Sequence, residues 1–364
     1  MTAQPARRDA EQSLVRAIGP WTLGATTLNL TIGAGIFALP AAVAVILGPA
    51  AVLAYLVCGA LILLVITCFV ELGTRVTRSG GAVTYIEEAF GPMAGFVTWG
   101  VYGVAYAAAS DAAVAHVVLD AVAVGVPGLA GGVPRAVALV LLFGCLAAIN
   151  IRGVRQGTRL AVATTVAKLV PLLLLVIVGL FAVQWPNLAW PAWPTFAQLG
   201  AATLVLFFAF GGAETALAPG GEIRDPARTV PRGVFGGAGA IVLLYVSVQF
   251  VAQGVLGSEL ASGTTTPLAD LAERLAGTAG RGLIVVGTAV SGFGMLAADM
   301  ICTPRAFLAA SEGGTLPRAL SRIHPRFHTP WISILTFAGL TLAFALSGGF
   351  RMLAVVSSMA LLLT

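Results

Sequence analysis

A chain of 364 residues with 58% hydrophobic and only 10% charged side chains lacks the polar surface that a water-soluble fold needs. Its formal net charge of +5 comes from arginines that gather between apolar stretches, so the basic balance reads as membrane topology and not as a nucleic-acid surface. The composition describes an all-α integral membrane protein that crosses the bilayer many times.

Residues 1–19 are polar and carry Arg7, Arg8 and Arg16. They lack the apolar region and small-residue cleavage site of a signal peptide, and read as a cytoplasmic N-terminal segment. Stretches able to cross roughly 30 Å of hydrocarbon, about 20 residues each, follow at 20–47, 49–77, 93–124, 134–151, 160–184, 198–220, 232–257, 280–310 and 330–347. A tenth runs from 350 and stops at Thr364, short of a full crossing, so about ten spans are expected with the last incomplete.

Arginines fall in the N-terminus and in alternate loops: Arg75 and Arg78, then Arg152, Arg155 and Arg159, then Arg224, Arg228 and Arg232, then Arg305, Arg318, Arg322 and Arg326. The opposite loops hold only Arg135, Arg274, Arg281 and Arg351. That asymmetry places the N-terminus in the cytoplasm of a cell-membrane protein. Trp185, Trp190 and Trp193, between the fifth and sixth spans, suit an aromatic belt at the outer interface.

Two spans carry glycines at their middles. In the first, TIGAGIFALP sets Gly33 and Gly35 around Ala34; in the sixth, FFAFGGAETALAPGG sets Gly211 and Gly212 before Glu214. One such cluster is often a close-packing surface. Two, five spans apart, point to an inverted-repeat carrier with its binding site at the bilayer midplane. Unwinding a helix frees N–H groups at the start of one half and carbonyls at the end of the other, which lipid tolerates only if something polar fills the gap. An amino acid zwitterion meets that need. Its carboxylate is expected to accept from N–H groups at Gly33, Ala34 and Gly35. Its ammonium is expected to donate to carbonyls near Thr31, Phe208 and Gly211, with Phe208 and Phe210 as an apolar lid.

The single lysine, Lys168, lies within the apolar run TVAKLVPLL. Counted from 160 at 1.5 Å per residue it is roughly 12 Å inside its span, where a charged lysine costs about 2.5–3.5 kcal/mol on insertion scales. It either reaches an interface, pairs with a carboxylate, or is held where it gains and loses a proton. Asp111 in the third span and Asp299 in the eighth either line a substrate path, suiting a cationic side chain or diamine, or sit protonated or paired. Glu71, Glu87, Glu88, Glu222 and Asp225 lie among arginines at span ends and read as solvated or gate-stabilising ion pairs. Cys58, Cys68, Cys145 and Cys302 have no C-x-x-C spacing and read as small buried hydrophobes; His116, His324 and His328 form no metal-ligand pattern. No metal or cofactor is expected, and no nucleophile–base pair or phosphate loop suggests an enzyme.

Six motifs in order resemble the amino acid–polyamine–organocation superfamily of permeases, over nearly the whole chain: IGAGIF (32–37), RSGGAVTYIEEAFGPMAGFVTWG (78–100), FFAFGGAETA (207–216), GGEIRDPARTVPRGV (220–234), TPRAFLAASEGGTLP (303–317) and HPRFHTPW (324–331). The resemblance implies secondary transport of amino acids or related amines by alternating access. It also implies two inverted five-helix repeats, here 20–184 and 198–364, with broken first and sixth helices. A fifth-helix lysine in the family's proton-coupled members looks like a replacement for the sodium ion of sodium-coupled relatives. Carried over, Lys168 would touch carbonyls near Gly33 and polar atoms of the 291–299 stretch, and Glu214 would orient the broken segment or share a proton. The implied partners are an amino acid, a proton and membrane lipid. Family members usually have twelve helices, and position 208 is Phe where some of the family's exchangers have a gating tryptophan. Proton symport is the leading expectation, with amino acid or polyamine exchange and a transport-inactive truncated or sensor form as alternatives. The particular substrate and the oligomeric state stay open.

Overall fold

The computed structural model describes residues 14–33, 35–123, 125–262, 266–349, 352–353, 356–357 and 359–360. The expectations for residues 1–13, Ala34, the Phe208 side chain and most of 350–364 lie outside the described residues. Among those described the regular structure is helical, and Ile18 and Ile223 form an isolated parallel bridge.

The first expected span divides into α1 (Pro20–Thr31) and α2 (Gly35–Leu47). Then come α3 (Ala51–Arg75), the short α4 (Ala82–Phe90), α5 (Pro92–Ala123), α6 (Gly132–Ile151) and α7 (Val154–Leu180). The second half holds α8 (Phe196–Phe210), α9 (Pro226–Leu256), α10 (Pro267–Glu312) and α11 (Trp331–Ser347). Six apolar stretches among the described residues are long enough to cross a membrane uninterrupted. The divided spans are not among them as wholes, because their breaks shorten each piece.

Several boundaries differ from expectation for local reasons. Helix α7 starts at Val154 and not at 160, since Arg155, Gln156 and Arg159 dilute the hydropathy of residues that still coil as a helix. Lys168 is therefore deeper than expected, about 21 Å along α7 at 1.5 Å per residue. Helix α10 begins at Pro267 and kinks where Gly277 takes φ +65°, so the eighth span has a prior turn the hydropathy pattern omits. After its break the sixth span does not resume as an α-helix; only a 3-10 turn, Glu214–Leu217, precedes Pro219 and its glycines.

Packing arranges these helices in order of enclosure. Most of the apolar window of α5 is buried (78%), whereas α6 has only 22% buried, so α5 is a central post and α6 faces lipid. Along Trp99–Ala108 α5 widens into a π-helical stretch, a local irregularity common at functional sites. Helix α1 crosses α9 where a Cβ on Gly24 would sit 3.2 Å from the Gly233 carbonyl oxygen and meet only Gly233 backbone, so two backbones approach closely there. Leu64, Leu141 and Leu243 are well exposed on the outer surfaces of their helices, as a lipid solvent permits. For the same reason Cys68 and Cys145 are exposed, which corrects the expectation for those two, while Cys58 and Cys302 are buried as expected. His116 is engaged structurally: Arg135 donates to its Nδ1 (2.8 Å), and its Nε2 lies 3.0 Å from the carbonyl oxygens of Ala345 and Gly348.

Candidate functional site

At the first break Ile32 leaves helical geometry (ψ 78°) and the Gly33 N–H turns back onto the Thr31 carbonyl, 2.9 Å. The α1 carbonyls left without helical partners are met by three side chains. Lys168 Nζ donates to Asn29 O (3.1 Å) and Ile32 O (2.6 Å). Ser291 Oγ lies 2.9 Å from Ile32 O and 3.2 Å from Gly33 O. Tyr245 Oη lies 3.1 Å from Thr31 O and 3.2 Å from Ala209 O, so one hydroxyl spans both breaks. Lys168 is fully buried (0% exposed), and it meets carbonyl oxygens at the negative end of α1, where a cation is favoured.

The second break turns on Gly212, whose φ of +106° is a conformation that L side chains rarely adopt. A Cβ there would also approach Leu30 O to 3.0 Å, so space and backbone both demand glycine. The freed Gly212 N–H donates to the Glu214 carboxylate at 3.0 and 3.2 Å, and Tyr102 Oη donates to Glu214 Oε1 at 2.9 Å while contacting the Thr215 hydroxyl. Glu214 thus closes its own break and ties it to the π-helical part of α5.

Between the breaks lies a cavity of about 560 Å³. Thr31, Gly33, Gly35 and Gly211 form its floor; Asp120 and Thr266 reach it at the opposite face from residues 14–19. The Thr31 hydroxyl is buried with no protein partner. The first turn of α2 presents N–H groups with no intrahelical acceptor, and the last turn of α8 presents carbonyls with no intrahelical donor, of which that of Ala209 meets Tyr245. Lys168 stands behind the floor, on the protein side of the α1 carbonyls.

Asp111 and Asp299 do not belong to the cavity wall. They are buried on α5 and α10, 1% and 5% exposed. Thr303 donates to Asp299 Oδ1 at 2.6 Å, while neither Asp111 oxygen meets a protein donor.

At the face of residues 14–19 the path is shut. Ile18 N donates to Glu222 O and Arg224 N to Ile18 O, both 2.9 Å, while Gly80 N donates to Ala218 O at 2.7 Å. Beneath them Arg305 grips Glu222 through Nη2 at 2.8 and 3.0 Å and Nε at 3.2 Å, with both side chains at most 1% exposed. Glu222 is therefore in a buried pair and not a solvated one. Glu71 with Arg75, Glu88 with Arg78 (3.0 Å) and Asp225 with Arg228 (3.8 Å) are exposed pairs of small energetic weight.

Tyr245, Asn29, Tyr102 and Arg305 escape sequence reasoning. A lone Tyr or Asn in an apolar helix has the signature of a core residue, and only its distance to a broken helix reveals the role. Removing the Tyr245 hydroxyl (Tyr245→Phe) costs a net hydrogen bond, about 0.5–1.5 kcal/mol; a lowered melting temperature of the purified protein is the expected result, and an unchanged one contradicts the tie between the breaks.

The chain matches the amino acid permease family over residues 18–364. It is 31% identical to the serine/threonine exchanger SteT of Bacillus subtilis (strain 168) over 331 residues, which cover 89% of this chain and 75% of that one. It is 26% identical to a methylthioribose transporter of the same organism (90% and 75% covered) and 30% identical to an uncharacterized transporter of Mycobacterium tuberculosis strain H37Rv (94% and 77%). Among solved structures, a Na+-coupled sialic acid symporter in a substrate-bound outward-open state shares the fold, with TM-score 0.61 and 12% identity over 95% of this chain and 76% of that chain.

Proposed function

This chain belongs to the amino acid permease family, and we propose that it moves an amino acid across the cell membrane by alternating access, with Lys168 as the proton-coupling group. The observation that carries the reading is the cavity floor: the N-terminus of α2, the carbonyl end of α8 and the unpartnered Thr31 hydroxyl converge on one space of about 560 Å³. An α-carboxylate suits the first turn of α2. An α-ammonium suits the α8 carbonyls near Gly211. The Gly33 N–H is engaged by the Thr31 carbonyl, which leaves Gly35 as the described donor at the start of α2. With the N-terminus in the cytoplasm, as the arginine asymmetry supports, the open side is extracellular and the sealed side cytoplasmic. The two inverted repeats then span 20–184 and 198–364.

Lys168 holds the α1 carbonyls in the manner of a bound cation. Loss of its proton removes the charge facing them and loosens α1 from α7, which gives protonation a differential effect on the two access states. Exchange is the second reading, favoured by the similarity to a serine/threonine exchanger. A pH jump on empty proteoliposomes separates the two, because symport accumulates substrate there and obligatory exchange does not.

A thermal-shift screen of the twenty amino acids and common diamines selects the substrate for an uptake assay. A Cβ on Gly35 would meet the Ala209 Cβ at 3.5 Å, so the larger side chain of Gly35→Leu fills the space beside Ala209. The variant is expected to insert normally and lose at least tenfold in uptake; uptake at the unaltered rate removes the assignment of the carboxylate to α2.

A further inference from the structure

A second cavity, about 370 Å³, opens at the sealed face, and its lining includes Arg16, Arg155, Arg159 and Arg224. They come from three separate segments: the stretch before α1, the first turns of α7, and the loop before α9. No carboxylate among the described residues pairs with any of them. Of the nearby described acids, Glu222 is held by the buried Arg305, and Asp225 makes an exposed pair with Arg228 at 3.8 Å. Ala17, Thr22 and Thr158 complete the lining, and the Thr158 hydroxyl is spent on Arg155 O (3.2 Å). Four converging guanidinium groups with no counter-charge among the described residues call for a multivalent oxyanion, and Arg forks fit phosphate oxygens in particular.

The level in the membrane indicates the source. Trp21, beside the pocket residue Thr22, is 91% exposed at the start of α1, where an indole marks the headgroup layer. A pocket of arginines between helices at that depth suits a lipid phosphate more than a solute. We propose that Arg16, Arg155, Arg159 and Arg224 bind the phosphate of an anionic phospholipid, and that the bound lipid clamps the sealed face. The clamp follows from placement. Arg16 and Arg224 flank the Ile18–Ile223 bridge, and Arg155 and Arg159 anchor the lipid to α7, so opening this face separates groups that one phosphate holds together.

The effect on flux rests on the carrier reading; the binding does not. The test compares full-length protein in nanodiscs of phosphatidylcholine alone and with phosphatidylglycerol, against a variant with Arg155→Gln and Arg159→Gln. Phosphatidylglycerol is expected to raise the wild-type melting temperature by several degrees, to lose that effect in high salt, and to act at most weakly on the variant. Inorganic phosphate added to phosphatidylcholine discs is expected to produce no comparable shift. An equal lipid response in wild type and variant overturns the site, and a full response to phosphate alone overturns the lipid as its ligand. For the clamp, the same lipid is expected to slow wild-type uptake several-fold and leave the variant's rate unchanged; equal slowing of both contradicts it. The melting comparison needs no transport, so its outcome holds whether or not the chain carries amino acids.

Discussion

Lys168→Ala is expected to abolish pH-driven accumulation of substrate in proteoliposomes while the protein still inserts. The ammonium is the donor to Asn29 O, and it shares Ile32 O with Ser291. Its removal leaves the Asn29 carbonyl buried without that partner, at a cost of about 1–3 kcal/mol, and takes away the positive charge that Lys168 sets against the end of α1. Lys168→Met separates these effects, because it keeps most of the volume and loses the charge. Accumulation under an imposed pH gradient is the readout, alongside equilibrium exchange without one. Both variants are expected to fall to equilibration in the first assay. Concentrative uptake by Lys168→Met with the wild-type pH dependence removes the lysine from coupling.

Arg305→Ala is expected to open the sealed face. It strands the Glu222 carboxylate at 0% exposure, and breaking a buried pair in this way costs about 3–5 kcal/mol. If the protein escapes that cost by admitting water, the equilibrium between sealed and open moves by a factor on the order of 10²–10³, at about 1.4 kcal/mol per tenfold. A native reporter lies one turn away. Cys302 is fully buried, and in a Cys68→Ser, Cys145→Ser background a membrane-impermeant thiol reagent should reach it readily in Arg305→Ala and hardly at all with Arg305 intact. The double variant Arg305→Ala, Glu222→Gln removes the stranded charge and is expected to label more slowly than Arg305→Ala alone. Equal protection of Cys302 in all three proteins contradicts the gate.

The sequence discloses the interruptions because glycine pairs and a lone lysine are conspicuous against 58% hydrophobic residues. Gly33, Gly35, Gly211 and Gly212 fall at the breaks, and Lys168 reaches the first of them. What holds the breaks is less visible. Tyr245 and Ser291 act through a single oxygen each, and neither changes the hydropathy or spacing of its helix. Arg305 and Glu222 are 83 positions apart, so nothing local distinguishes them from the exposed arginines and acids around them. Glu214 reads from the sequence as an orienting or proton-sharing acid, and its hold on Gly212 N is the geometry of the former. The second half of the sixth span misleads a hydropathy reading, because apolar residues in a 3-10 turn score as well as those in an α-helix. Helix α7 misleads it the other way, since arginines lower a hydropathy sum without disturbing a coil.

Counterflow of a labelled amino acid, chosen by thermal shift, tests the central claim most directly: that two helix ends and a free hydroxyl make an amino acid site in a carrier. Proteoliposomes loaded with unlabelled substrate should take up label in a saturable transient, and the Gly35→Leu protein should give none. No transient above protein-free vesicles, for any amino acid or diamine that stabilises the purified chain, contradicts that claim.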